Sequence, residues 1–366
     1  MRELNPAQRV GDFGQSIWYD NISRELLDSG EIRRLIAEWG VRGLTSNPAI
    51  FHKAITSGSS YFDDISAFKR QGMNSDEIFE ELALADIAQA ADELLGVYQA
   101  SAGEDGYASI EVSPLLAKDS VATINEALRL YQRLSRPNIM IKVPGTKDCL
   151  PAIEELLFQG VNINVTLLFS VENYREVAQA YIRGLTRRHQ AGLKIDGISS
   201  VASFFVSRVD SLIDANLAEL GIRNPQVLAL RGKAAIANAK IAYAAFQEIF
   251  SSDEFAVLRQ AGARRQRPLW ASTSTKNPAY RDVIYVDELI GPDTVNTVPH
   301  ATLAAYVDHG TPGNTLESGL TEAKNLLSAL SDAGINFAEV LAHLQEDGVA
   351  QFIKAFLDLR EAIAAA

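Results

Sequence analysis

The sequence predicts an α/β protein built as a single (β/α)8 TIM barrel, with extra helices after strand 6 and at the C-terminus. Eight short β-rich runs alternate with long amphipathic stretches. That order fits a parallel sheet closed by crossover helices. No Gly-rich turn follows the first strand, as it usually does in the competing doubly wound sheet.

The runs are QSIWYD from Gln15, VRGLTS from Val41, ASIEVS from Ala108 and NIMIKV from Asn138. They continue with VNINVTLLF from Val161, GISSVASFFV from Gly197, RPLWASTS from Arg267 and DTVNTVP from Asp293. Stretches such as those starting at Ser75 and Ser170 repeat apolar residues at three- and four-residue spacing, and Gly often ends such stretches. The segment from about Arg208 to Arg267 is too long for one crossover helix. Asn224-Pro225 reads as an N-cap and first helical proline, so a second helix is expected to start there. From about Ala301 to Ala366 the chain reads as helical, with a break at Gly334. No repeat or Pro/Gly-rich linker divides it, so residues 1–366 are expected to form one domain.

The chain has 34 Lys and Arg against 46 Asp and Glu, a net charge of -12. That balance argues against nucleic acid or an anionic membrane as partner. The single cysteine, Cys149, cannot form an internal disulfide and reads as a packed thiol. The first residues lack a signal-peptide pattern, and Asn162 and Asn164 interrupt the longest apolar run. A cytoplasmic location is expected. The histidines lack metal-ligand spacing, and His300 reads as a surface residue. No metalloprotease, phosphate-loop or serine-hydrolase motif is present. No metal or cofactor is implied. Arg264, Arg265 and Arg267 read as a solvated loop before the seventh strand.

Side chains alternate along a strand, so parity sorts them. In the fifth strand Ile163, Val165 and Leu167 should meet the helices, which turns Asn162, Asn164 and Thr166 into the barrel. The same rule points Lys142 inward from the fourth strand and Glu111 from the third. Asp20 shares a face with Trp18, Thr45 with Asn47, and Ser203 with Phe205. The polar members gather near the C-terminal strand ends, where barrel enzymes build their sites.

Burying a lysine disfavours its charge, and a neutral amine can attack a ketone to form a Schiff base. Asp20 and Glu111 supply carboxyl groups for proton transfer. Asn47, Asn164 and Ser203 suit the hydroxyls of a short polyol. An internal Lys142–Glu111 ion pair without catalysis is the competing reading. Arg208, where a helix begins after the sixth strand, and Lys276, after the seventh, are candidate phosphate cations.

TSNPAIF (Thr45 to Phe51), IKVPGT (Ile141 to Thr146) and NVTLLFS (Asn164 to Ser170) resemble the signature regions of transaldolases. SVASFFVSRVD from Ser200 and TVNTVP from Thr294 resemble blocks of the longer bacterial type. The match runs in order from about Gly11 to the end. The resemblance implies a Schiff-base enzyme on an (α/β)8 barrel, a transferase of aldehyde or ketone residues in the non-oxidative pentose phosphate pathway. Such an enzyme moves dihydroxyacetone from sedoheptulose 7-phosphate or fructose 6-phosphate to glyceraldehyde 3-phosphate or erythrose 4-phosphate. It further implies Lys142 as the Schiff-base lysine and Asp20 as the acid/base at the breaking bond. Glu111 and Thr166 would hold the proton-shuttling water. Asn47, Asn164 and Ser203 would bind the dihydroxyacetone hydroxyls, with Thr45 in support. Arg208 would bind phosphate, and Phe205 would keep the site apolar. The sequence departs from the family at Cys149, where glycine is usual. It also departs at Ser272 to Lys276, where Lys276 replaces an arginine. The expected partners are sugar phosphates, and a monomer or a homodimer fits equally.

Overall fold

The computed structural model describes residues 4–366. All eight expected strands form: β1 (Gln15–Asp20), β2 (Leu44–Thr45), β3 (Ala108–Glu111), β4 (Ile139–Pro144), β5 (Ile163–Leu168), β6 (Ser200–Phe205), β7 (Arg267–Ala271) and β8 (Thr294–Val298). They pair in chain order, all parallel, and β8 closes on β1. The outcome is the expected (β/α)8 barrel. β2 is shorter than its sequence run because only Leu44 and Thr45 join the ladder.

The register sets the site. Glu111 pairs with Lys142 and Lys142 with Asn164, so three inward polar residues share one level on adjacent strands. Asp20 pairs with Thr45 across the β1–β2 contact. Below this level the barrel is filled. Trp18 is fully buried, and its Nε1 donates to Asp105 Oδ1 at 3.0 Å. Gly43 makes room for that indole: a Cβ there would lie 2.5 Å from the ring.

The arginine cluster before β7 is not a solvated loop. Arg267 is 9 % exposed and plugs the N-terminal end of the barrel, donating to Asp105 Oδ1 at 3.1 Å and to Ser16 Oγ at 2.7 Å. Arg264 donates to Gly103 O and Ser199 Oγ. A buried guanidinium persists only when its donors are matched in this way. Arg265 alone stays near the surface, paired with Asp293.

The helices Ser75–Ala100 and Val171–Gln190 form where periodicity placed them, capped by Asn74 and Ser170. Two expectations need correction. Asn224-Pro225 opens only a 3-10 segment, Pro225–Leu230, which ends where Arg231 turns extended and Gly232 takes a left-handed conformation; the next α-helix is Ala234–Phe250. The C-terminal region also breaks twice. Helices run His300–His309, Leu320–Asp332 and Phe337–Ala365. Gly334 makes the expected break; the earlier one spans 310–319, where Pro312 stops helix propagation.

The last helix packs across the C-terminal face of the barrel. Gln345 Nε2 donates to Leu167 O at 3.0 Å and to Asn173 Oδ1 at 2.8 Å. Leu167 stands at φ +62°, where the β5–β6 register shifts. A non-glycine residue in that region costs roughly 1–3 kcal/mol. The bulge turns its carbonyl toward the helix. Among the described residues no helix is long and apolar enough to cross a membrane.

Candidate active site

Nine of the residues singled out by sequence line one cavity of about 150 Å³ at the C-terminal end of the barrel. They are Asp20, Thr45, Asn47, Lys142, Thr166, Ser203, Phe205, Arg208 and Lys276. Asn164 and Glu111 are not on that wall. Asn164 is fully buried behind it: its Oδ1 accepts from Ser203 Oγ at 2.6 Å and its Nδ2 donates to Ser109 Oγ at 3.2 Å. Glu111 stands beside Lys142 and faces a second cavity.

Lys142 is 5 % exposed. Its Nζ donates to Ser46 O at 3.0 Å and lies 3.8 Å from Glu111 Oε2. Both Glu111 carboxyl oxygens are buried with no hydrogen-bond partner among the described residues. Burial pushes the Glu111 carboxyl up to about 7; Lys142 opposes the rise and Asp20 adds to it. A carboxyl near that value can give or take a proton at neutral pH.

Asp20 sits across the cavity. Burial raises its pKa, and the Thr45 hydrogen bond, Lys142 and Lys276 pull it back. Thr45 Oγ1 donates to Asp20 Oδ1 at 2.7 Å and lies 2.7 Å from Thr297 Oγ1. Thr45 has one proton and gives it to Asp20, so Thr297 is the donor to Thr45. The two hydroxyls thus form a chain that ends on the carboxylate.

Asn47 has two duties. The residue pair Asn47-Pro48 starts the helix Pro48–Thr56, and Asn47 Oδ1 accepts from Ile50 N at 3.0 Å. The cap fixes the oxygen and leaves the amide N–H₂ on the cavity side. Thr166 Oγ1 is buried and has no partner among the described residues.

The outer part of the cavity is cationic. Arg208 lies in the first turn of the helix Ser207–Gly221, whose N-terminus has no side-chain cap. Its Nη1 is buried with no partner among the described residues, and its guanidinium sits 5.5 Å from the Phe205 ring centroid. Burial lowers its pKa, with Asp347 opposing. Lys276 Nζ donates to Ser274 Oγ at 2.7 Å; burial and then Arg208 lower its pKa, while Asp20 raises it. Ser272, beside them, holds φ +56°. Two cations, two serine hydroxyls and an uncapped helix start form an anion cradle.

Sequence reasoning missed Thr297, Ser46 and Phe352. Thr297 lies within TVNTVP, where parity does not choose a side: it shares a face with Val295, and Thr294 and Asn296 share the other with Val298. Ser46 acts through its carbonyl, which no residue type announces. Phe352 reaches the cavity from the last helix. Cys149 is buried, its Sγ 3.4 Å from Ala117 O, and burial raises its pKa. The loop thus accommodates the departure as a packed thiol. His300 is exposed and stacks on Trp39 at 5.7 Å.

The family model described as Transaldolase/Fructose-6-phosphate aldolase matches residues 17–363. Transaldolase 1 of Streptomyces avermitilis is 49% identical over 98% of this chain and 94% of its own length. Transaldolase 2 of Nostoc sp. is 48% identical over 98% of this chain and 97% of its own. The transaldolase of Thermobifida fusca is 45% identical over 98% of both. A match of this extent, carried on a closed eight-stranded barrel with a lysine at its mouth, means that the chain belongs to the transaldolase/fructose-6-phosphate aldolase family.

Proposed function

We propose that this protein is a transaldolase that moves a dihydroxyacetone unit between sugar phosphates through a Schiff base on Lys142. The observation that carries the reading is the placement of Lys142 Nζ. It is buried, on the wall of the cavity that Asp20 also lines, and 3.8 Å from a carboxyl pushed up to about 7.

The amine attacks C2 of a ketose phosphate such as fructose 6-phosphate or sedoheptulose 7-phosphate. Glu111, with a water shared with Thr166, delivers the proton that lets the C2 hydroxyl leave. Asp20 then takes the proton of the C4 hydroxyl, the C3–C4 bond breaks, and its electrons enter the iminium to give an enamine. The aldose phosphate departs. Erythrose 4-phosphate or glyceraldehyde 3-phosphate enters, the enamine carbon attacks its aldehyde, and Asp20 returns the proton. Hydrolysis frees Lys142.

Asn47 and Ser203 hold the dihydroxyacetone hydroxyls, with Asn164 fixing Ser203 from behind. Thr45 orients Asp20. Arg208 and Lys276 take the phosphate, Lys276 as a point charge without the bidentate grip of an arginine. Phe205 and Phe352 give the cavity an apolar wall that favours transfer over release to water. In this reading residues 1–366 work as one unit, since the C-terminal helix completes the cavity that the barrel begins.

The test is turnover of fructose 6-phosphate with and without erythrose 4-phosphate, together with borohydride trapping. Acceptor-dependent product and a reduced adduct on Lys142 are expected. Equal turnover without acceptor would make the protein an aldolase that releases dihydroxyacetone. Binding without an adduct would make it a silent sugar-phosphate binder.

A further inference from the structure

A second cavity, of about 180 Å³, lies behind Glu111. Three rings wall it: Phe51 and Phe79 are 5.5 Å apart and edge-to-face, and Phe356 of the C-terminal helix stands 5.9 Å from Phe79. One end is at the surface, where Leu115 is 50% exposed and Asp76 is exposed. The other end is the Glu111 side chain, 4% exposed, with both oxygens lacking a partner among the described residues. Asn47 borders both this cavity and the mouth. Glu111 therefore stands between the Lys142 amine and a passage to solvent that the sugar does not occupy.

We propose that this aromatic-walled cavity is a water conduit, which carries water to and from Glu111 while the sugar fills the mouth. The inference rests on the Schiff-base reading of Lys142. In the dehydration step the Glu111 carboxyl gives its proton to the carbinolamine hydroxyl. The C2–O bond breaks, the nitrogen lone pair forms the C2=N bond, and the products are an iminium, a Glu111 carboxylate and one water. That water has sugar on one side and Glu111 on the other. The mouth cavity holds only about 150 Å³, and the bound sugar fills it with its phosphate on Arg208 and Lys276. Behind Glu111 the cavity has room for several waters, and the unpartnered Glu111 carboxyl can take one from its inner end by turning toward it. Beyond it the three rings offer no hydrogen bonds, and Glu126, Glu80 and Asp76 lead water on toward the surface. Hydrolysis of the final Schiff base uses the same route inward.

The experiment follows loss of a heavy-oxygen label from C2 of fructose 6-phosphate without acceptor, above the enzyme-free rate. Leu115→Trp and Ala83→Met fill the cavity from two sides; Leu115→Ala widens it. Both filled variants should slow label loss at least threefold, while the fraction trapped by borohydride at saturating sugar stays at the wild-type level. Leu115→Ala should lose label at least as fast as wild type. Filled variants that trap fully yet exchange at the wild-type rate would overturn the conduit and leave the Schiff base standing. A Leu115→Ala protein as slow as the filled ones would also overturn it, because mere disturbance of Glu111 would then explain the loss. Absence of an adduct on the wild-type protein would instead sink the Schiff-base reading, and the conduit with it.

Discussion

Lys142 Nζ and Glu111 Oε2 stand 3.8 Å apart, side by side on paired strands, without a hydrogen bond between them. That spacing is beyond the range of a formed N–H···O bond. The amine turns instead to the Ser46 carbonyl and borders the mouth cavity. The internal ion pair of the competing reading is therefore present, but it is not closed by a hydrogen bond and leaves the amine on the wall of the mouth cavity.

Lys142→Met should abolish turnover, since Lys276, the other amine on the cavity wall, stands beside Arg208 in the outer, cationic part. The unbranched apolar side chain fills the same space, so the fold should persist. Circular dichroism with borohydride labelling checks both halves. A folded variant that still turns over would remove Lys142 from the mechanism.

Asp20→Asn keeps the shape and removes proton transfer. We expect kcat to fall about 10²–10⁴-fold with KM nearly unchanged. Thr45→Val removes the side-chain donor that stabilises the Asp20 carboxylate. Hydrogen bonds to charged groups contribute about 1.5–3 kcal/mol, or roughly one to two pKa units. Asp20 must be ionised to accept the C4 hydroxyl proton. The acid limb of the kcat profile should therefore move to higher pH, and an unmoved limb would assign that limb to another group.

Glu111 makes stability depend on pH. Its pKa is raised in the fold to about 7, against 4.5 as a free side chain. Between those values the unfolded chain has lost the proton and the folded one keeps it. Stability therefore declines as pH rises through this window, and the full penalty is present above it. Glu111→Gln escapes the penalty. Its advantage over wild type should grow by about 2 kcal/mol from about pH 5 to about pH 8 in denaturant titrations. A constant difference would mean that Glu111 titrates normally.

Arg208→Ala should raise KM for fructose 6-phosphate about 10–100-fold, the equivalent of one charge-assisted phosphate contact. Turnover of unphosphorylated fructose should be unchanged. Lys276→Ala should show the same pattern with a smaller rise, because its ammonium is a point charge. Equal effects on both sugars would place these cations outside phosphate recognition.

Phe352→Ala opens the apolar wall that the last helix lays over the mouth. Truncation of this buried ring should cost about 3–5 kcal/mol of stability. Dihydroxyacetone release without acceptor should rise relative to transfer, read as the ratio of the two rates. An unchanged ratio would relieve the helix of any part in excluding water.

Legibility tracked how local the signal was. Parity alone turned Thr166, Lys142 and Ser203 inward, because a strand exposes alternate residues whatever surrounds it. The same logic put Asn164 inside, yet not that it would stand behind Ser203 rather than on the cavity wall. Arg267 looked like a loop charge because nothing nearby in the chain reveals Asp105, which meets it across the barrel floor. The break at 310–319 was missed although Pro312 marks it, since the helical pattern on either side was read through it.

The order of eight strands, the side each residue faces and the inward placement of Lys142 are written in the chain, because they follow from short-range periodicity. Closure added the rest. It set the 3.8 Å between Lys142 and Glu111, aimed the Ser46 carbonyl, brought Phe352 and Phe356 from the far end of the chain, and opened a second cavity behind the carboxyl. Such relations join residues tens to hundreds of positions apart, and they exist only once packing has brought those residues together.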